Sequence, residues 1–314
     1  MTQPNAQLKK IKNAAGSLYD LQKLRIQSGN RATSIKADLD EKDVAFLAAM
    51  STGLDQVEHI AEKELKRHLR GYPIYETWLK KQSGVGTKMS GVIISSINIH
   101  KCETVSQMWA YCGLSVVNGH SQRRVRGQKA NYNTWLRAKM VKVLGDNLIR
   151  FSKLGDDGQY LRSTAKVPTV IPKEQAWRRF YDYYKVRKQN TIVPVCMGCD
   201  GTGKVKRKTK DEEGETEAKV VPEKAKEVIV VCPNCEGTGG PAPWGQSDGH
   251  RHNAARRYLV KMFLQELWLQ WRTLEGLKIN VSYEEAKLGV VHGDHSDLRN
   301  IGPKAALDVT NAAE

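Results

Sequence analysis

Two short cysteine knuckles of nearly the same sequence constrain this chain more than any other feature. Cys196-Met-Gly-Cys199-Asp-Gly201-Thr-Gly203 is echoed by Cys232-Pro-Asn-Cys235-Glu-Gly237-Thr-Gly239. Four thiolates in two C-x-x-C pairs match a closed, tetrahedral, structural Zn²⁺ site. The glycines after each pair let the backbone turn tightly, so that N–H groups face sulfur. A redox dithiol is the alternative for any single C-x-x-C. The spacing therefore predicts a small zinc ribbon, held by one Zn²⁺, filling about 190–247. Six cysteines in this arrangement point to metal rather than disulfides, and so to a reducing compartment. Cys102 and Cys112 fall outside the pairs and are expected to be buried thiols.

The rest of the chain reads as helix. Leu8, Ile11, Ala15 and Leu18 recur at helical spacing within 5–28, and Leu47, Met50, Leu54, Val57, Ala61 and Leu65 do so within about 42–69. Asp40 is placed to cap the second run. These two runs predict a helical hairpin or coiled-coil arm over 1–70, which could pair two copies as a homodimer. After Gly71-Tyr72-Pro73, helical stretches follow at 74–82, 88–97, 104–112, 131–152 and 174–189, with 153–172 loop-like. A last amphipathic helix covers about 250–274 within a closing segment 248–291, and 292–314 reads as a small, polar tail. The expected fold is mainly α: an N-terminal hairpin or coiled coil, a helix-hairpin-helix bundle over 71–189, and the zinc-ribbon insertion. The charged run 204–227 within that insertion reads as a solvated hairpin tip or a disordered loop.

Fifty Lys plus Arg against thirty-four Asp plus Glu give a formal net charge of +16. Such an excess calls for a polyanion partner, and nucleic acid is the usual one. No apolar run approaches the roughly 20 residues that span a bilayer, and the N-terminus lacks the apolar core of a signal peptide. The expectation is a cytoplasmic protein with no membrane partner. Between helices 74–82 and 88–97 lies Ser83-Gly84-Val85-Gly86-Thr87-Lys88, a helix-hairpin-helix pattern. Amides around Gly84 and Gly86, with Lys88, would hold one DNA strand by its backbone without reading sequence. Arg123, Arg124, Arg126 and Lys129 would extend the phosphate track, beside a lone hydroxyl at Ser121. Trp109, Tyr111, Tyr132 and Trp135 interleave with this basic segment, either as core aromatics or as base-stacking platforms. His292, Asp294 and His295 cluster in the tail, where a metal site has little support.

The knuckles resemble those of DnaJ-type co-chaperones, but only in these two motifs; the chain has no His-Pro-Asp signature of a J-domain. A wider resemblance covers about 74–152. There the order of GVGTKMSGVIISSI, the Trp-Ala-Tyr-Cys-Gly-Leu run and SQRRVRG resembles the C-terminal helix-hairpin-helix transposase domain of the Piv-type, bridge-RNA-guided insertion-sequence recombinases. Gly84 and Gly86 match the hairpin glycines, and Gly113-Leu114 match the Gly-Leu before the serine loop. Ser121 stands seven residues after Leu114, at the spacing of the serine thought to attack phosphodiesters. Arg123, Arg124, Arg126 and Gly127 match the basic tail of the motif. The segment from serine to glycine is one residue shorter here, and Gln122 stands where the family has a small residue.

Members of that family carry a RuvC-like domain with four acidic metal ligands. Only about seventy residues precede the hairpin here, they read as helix, and they hold no such quartet. A serine without metal or an adjacent base has little to activate it. Three readings stay open. The first is a DNA-binding protein related to these transposases. The second is an active recombinase subunit with Ser121 as nucleophile, its acidic domain supplied in trans by a RuvC-like protein and RNA as a further partner. The third is a zinc-dependent protein-interaction scaffold of a phage or mobile element.

Overall fold

Helix α1 (Asn5–Ser34) and helix α2 (Glu41–Leu69) lie antiparallel, as a helical hairpin. The Gln7 side chain donates to the His68 carbonyl at one end, and Arg25 pairs with Asp55 at 3.0 Å and Glu58 at 2.8 Å further along. Asp40 caps α2 by accepting from the Asp43 amide at 2.8 Å. The buried faces are shorter than the apolar periodicity suggests. Ile11, Ala15 and Leu18 of α1 and Leu65 and Leu69 of α2 are buried. Further out, Phe46 and Ile60 are 65% and 66% exposed. The structure, a computed structural model, describes residues 5–35, 39–117, 120–122, 124–163, 167, 169–172, 175–208 and 227–280.

What α1 and α2 bury against is helix α4 (Thr87–Ser96). Gly91, in the middle of α4, lets them come close: a Cβ there would lie 3.0 Å from a Leu65 methyl and 3.3 Å from Ala15 Cβ. Helix α3 (Pro73–Thr77) starts with proline in its first turn, and a single 3₁₀ turn, Leu79–Lys81, leads from it to the glycine hairpin. The expected continuous helix 74–82 is thus broken at Trp78. After α4, helix α5 (Val105–Tyr111) opens with a capping box between Thr104 and Gln107. A small antiparallel ribbon follows, β1 (Val116–Val117) with β2 (His120–Ser121). Helix α6 (Thr134–Ala138) is capped by Asn133, passes through a π-helical stretch Lys139–Leu144, and ends as α7 (Gly145–Arg150).

The segment 153–172 departs from the loop expected of it. Ser152–Leu154 (β3) pairs antiparallel with Tyr160–Arg162 (β4). The turn works because Gly158 takes a left-handed φ of +78° and Asp157 accepts from the Gln159 amide at 3.1 Å. Helix α8 (Arg178–Asn190) begins four residues later than the pattern suggests. Helix α9 (Asp248–Leu274) matches its periodicity: Val260, Phe263, Leu264, Leu267, Trp268 and Trp271 are all buried. Trp268 donates to the Cys102 carbonyl at 2.8 Å, and buried Arg272 donates to the carbonyls of Ile99 and Cys102. Cys102 and Cys112 are buried as expected, and burial pushes the Cys112 thiol up to about 12.

The chain divides into two compact units. The first runs through Arg178 and takes up again at Leu259; the second covers Arg179–Tyr258. The second unit holds the cysteine insert, whose base is closed by β5 (Ile192–Val193) paired with β8 (Ala242–Pro243). Within it β6 (Lys204–Lys208) and β7 (Glu227–Val231) form an antiparallel ribbon. The tip of that ribbon, 209–226, and the tail cluster of His292, Asp294 and His295 lie outside the described residues. No helix among the described residues is long and apolar enough to cross a membrane. The protein is mainly helical, with its four paired cysteines gathered in one small insertion.

Candidate metal centre and glycine hairpin

Each knuckle is a turn built twice from the same parts. Asp200 and Glu236 take left-handed φ values of 49° and 51°, followed by Gly201 and Gly237 at 82° and 88°. Thr202 and Thr238 donate from backbone and hydroxyl to the carbonyls of Cys199 and Cys235. At Gly203 and Gly239 a Cβ would run into the carbonyl oxygens of Gly237 and Gly201 respectively, so both glycines are obligatory. The two halves clasp: Cys196 N–H donates to Gly239 O, and Cys232 N–H to Gly203 O.

This pairing brings all four sulfurs together. The Sγ atoms of Cys196, Cys199, Cys232 and Cys235 lie within 4.8 Å of one another, with 3.8 Å between Cys196 and Cys232 and 3.7 Å between Cys199 and Cys235. All four are buried, with Val205 of β6 packed against them. Gly203 N–H points at Cys199 Sγ from 3.2 Å and Gly239 N–H at Cys235 Sγ from 3.3 Å. Burial works to raise the Cys196 thiol, but hydrogen bonds from the Gly198 backbone and Asn234 outweigh it and bring it down to about 6. The group could bind a metal ion, and the amides facing sulfur favour thiolates. Sequence reasoning missed Asn234. Its Nδ2 donates to Cys196 Sγ and to the Gly245 carbonyl, while its Oδ1 accepts from buried Arg251.

In the glycine hairpin the two glycines do different work. Gly84 has φ +88°, and a Cβ there would sit 3.2 Å from the Asn147 carbonyl carbon and oxygen of α7. Gly86 is ordinary in conformation, φ −77° and ψ 173°, exposed, and with nothing within 4 Å of a Cβ. It is the residue before α4, and no side chain caps that helix. A concavity of about 370 Å³ opens here, lined among others by Lys80, Lys81, Gly84, Gly86 and Arg162. Arg162 of β4 lies in a stretch whose sequence reads as loop, so the pattern gives no sign of it. Lys88 turns the other way: its Nζ lies 3.5 Å from Glu58 and 5.3 Å from the centre of the Tyr19 ring. Burial depresses the Lys88 ammonium, and pushes the Tyr19 hydroxyl up to about 12.

Ser121 pairs with Val116 in the β1–β2 ribbon and is half-buried. The loop after it is tied to α6, where Arg137 donates to the Gln122 carbonyl and to the Tyr132 hydroxyl. Gly113, at φ +69°, lies against Tyr132 and Arg137. Arg124, Arg126 and Lys129 are exposed, and Arg123 lies outside the described residues. The serine loop is thus held near Arg137 and the hairpin near Asn147 of one helical run, roughly 15 Å apart along its axis at 1.5 Å per residue. Compared with protein-family models, curated proteins and solved structures, the chain matches none of them.

Proposed function

We propose that this protein binds DNA by the phosphate backbone, as a relative of the insertion-sequence transposases. The observation that carries this reading is the mouth of the glycine hairpin. The first turn of a helix has N–H groups with no partner inside the helix. At α4 no side chain caps them, and the residue in front, Gly86, offers no bulk to keep an oxygen away. Lys81 and Arg162 are exposed at the rim, where they would add positive charge beside those amides. With a net charge of +16, a polyanion is the ligand this surface fits. Lys88, engaged with Glu58, contributes through packing rather than direct contact.

The cysteine cluster supports a structural role for Zn²⁺. A tetrahedron with Zn–S bonds of about 2.3 Å has sulfurs roughly 3.8 Å apart, and the Cys196–Cys232 and Cys199–Cys235 pairs are 3.8 and 3.7 Å apart. Four thiolates leave no open coordination position, so the ion would order the insert rather than take part in a reaction. The function proposed is binding. Fluorescence anisotropy with a labelled duplex tests it. The logarithm of the affinity should fall linearly with the logarithm of salt concentration, by about 0.9 per phosphate neutralised. Absent or salt-insensitive binding would refute it.

A further inference from the structure

Two aromatic rings stand half out of the first unit beside its most basic loop. Trp135 is 47% exposed and Tyr111 is 41% exposed, although both lie next to buried positions, Leu136 and Cys112. One residue positions both rings. Asn133 caps α6 by accepting from the Leu136 amide at 3.0 Å; its own N–H donates to the Tyr111 carbonyl at 3.1 Å, and its Nδ2 donates to the Tyr111 hydroxyl at 3.4 Å.

Trp135 has two ring contacts among the described residues. Tyr19 meets it edge-on, with ring centres 6.5 Å apart and planes at 81°, and Lys139 Nζ lies 5.5 Å from its centre. Along the same helix face the next exposed residue is Ala138, which is too short to cover the ring. Leaving a tryptophan so exposed forfeits much of the free energy its burial would provide. A half-exposed indole beside a positive loop is what a stacking platform for nucleic-acid bases requires. Arg124, Arg126 and Lys129 are exposed in that loop and have no carboxylate partner among the described residues.

We propose that Trp135 and Tyr111 stack unpaired bases of single-stranded DNA, with Arg124, Arg126 and Lys129 on its phosphates. This rests on the DNA-binding reading and adds to it a preferred state of the DNA. Paired bases inside a duplex present only edges to a protein, so the rings gain nothing from intact duplex. Protein partners also favour aromatics and arginine, but the unpaired positive charge here favours a polyanion.

The test compares the metal-loaded full chain on labelled oligo(dT), oligo(U) and a duplex of equal length. Trp135→Ala should weaken oligo(dT) binding by about 5- to 150-fold, the range for one stacked base, and leave duplex binding unchanged. Trp135→Phe should keep most of the affinity, whereas Trp135→Leu, apolar but without a π face, should lose it. That pair of variants decides the matter even if the alanine variant fails to fold. Unaltered oligo(dT) binding by Trp135→Leu, or duplex binding with none to oligo(dT), would overturn the stacking site and leave the backbone grip standing. Failure to bind any DNA would overturn the underlying reading instead. Oligo(U) bound tenfold more tightly than oligo(dT) would overturn DNA as the occupant in favour of RNA.

Discussion

Alanine at the two hairpin glycines should separate folding from binding. At Gly84 the φ of +88° costs a side-chain-bearing residue about 1–2 kcal/mol. The new Cβ would also press on backbone atoms of Asn147 and Leu148 at 3.2–3.3 Å. Backbone cannot swing aside as a flexible side chain can, and overpacking of this kind adds about 1–3 kcal/mol. Gly84→Ala should therefore destabilise the first unit by about 2–5 kcal/mol, which lowers a melting midpoint by roughly 4–20 °C for a unit of this size.

Gly86→Ala should do the reverse. Its backbone angles suit alanine and a Cβ there touches nothing. Reduced freedom of the unfolded chain favours alanine by about 0.4–1 kcal/mol, and the poorer fit of alanine before a helix offsets a similar amount. Stability should stay within about 0.5 kcal/mol of the parent. Duplex affinity should nevertheless fall about 10- to 150-fold, because the methyl blocks an oxygen that forms a charge-assisted bond worth about 1.5–3 kcal/mol. Thermal melts followed by circular dichroism, with anisotropy titrations on the same samples, provide both readings. If Gly86→Ala binds duplex as the parent does, the hairpin is not the grip. If Gly84→Ala melts within 1–2 °C of the parent, the account of why glycine stands there is wrong.

Removing metal should unfold the insert while leaving the helices of the first unit intact. Titrating the apo chain with Co²⁺ should give thiolate charge-transfer absorption saturating at one ion per chain, lost in Cys235→Ser and weaker as pH falls, since the thiols must shed protons to bind. A second test concerns Glu58. Although burial opposes it, hydrogen bonding and the charges of Arg25 and Lys88 hold its carboxyl below the ordinary 4.5. A depressed folded value means that its stabilisation is complete above the unfolded value and disappears as pH falls through the folded one. Glu58→Gln should therefore lower stability at neutral pH by about 1–3 kcal/mol, with the difference from the parent shrinking as pH falls below the ordinary 4.5. An undiminished difference there, by denaturant melts, would refute the ion-pair account.

The parts of this architecture that local chemistry determines were legible in the sequence. The knuckles are closed by glycines two and four residues after their second cysteines, and α9 carries its buried stripe at helical spacing within one continuous helix. Where distant residues decide, the pattern was silent or misleading. The apolar run of α2 predicts a continuous face, but α4 is only ten residues long, so just the inner ends of α1 and α2 find cover. The β3–β4 hairpin hid in a stretch rich in glycine and proline, because a five-residue connection between two short strands has the composition of a loop. Lys88 sits in the motif, yet its charge goes to Glu58 of α2, thirty residues earlier. Nothing within Ser83–Lys88 could signal that.

One helical run joins the two contacts proposed for DNA. The hairpin rests on Asn147 in α7, and the Trp135 ring projects from the first turn of α6, so a single rod fixes the spacing between grip and platform. Twelve residues separate those two positions, roughly 18 Å at the rise of an α-helix. Successive base pairs of B-DNA are about 3.4 Å apart, so the gap spans about five of them. A ligand that used both contacts would need a strand backbone at the hairpin and unpaired bases about five nucleotides away. Duplex ends, forks and nicked junctions meet that requirement, and a uniform duplex does not. Because the contacts share no side chain and lie well beyond 10 Å, Gly86→Ala and Trp135→Ala should act additively on a fork. Strong non-additivity would mean that strand and duplex are not bound at both ends of this rod at once.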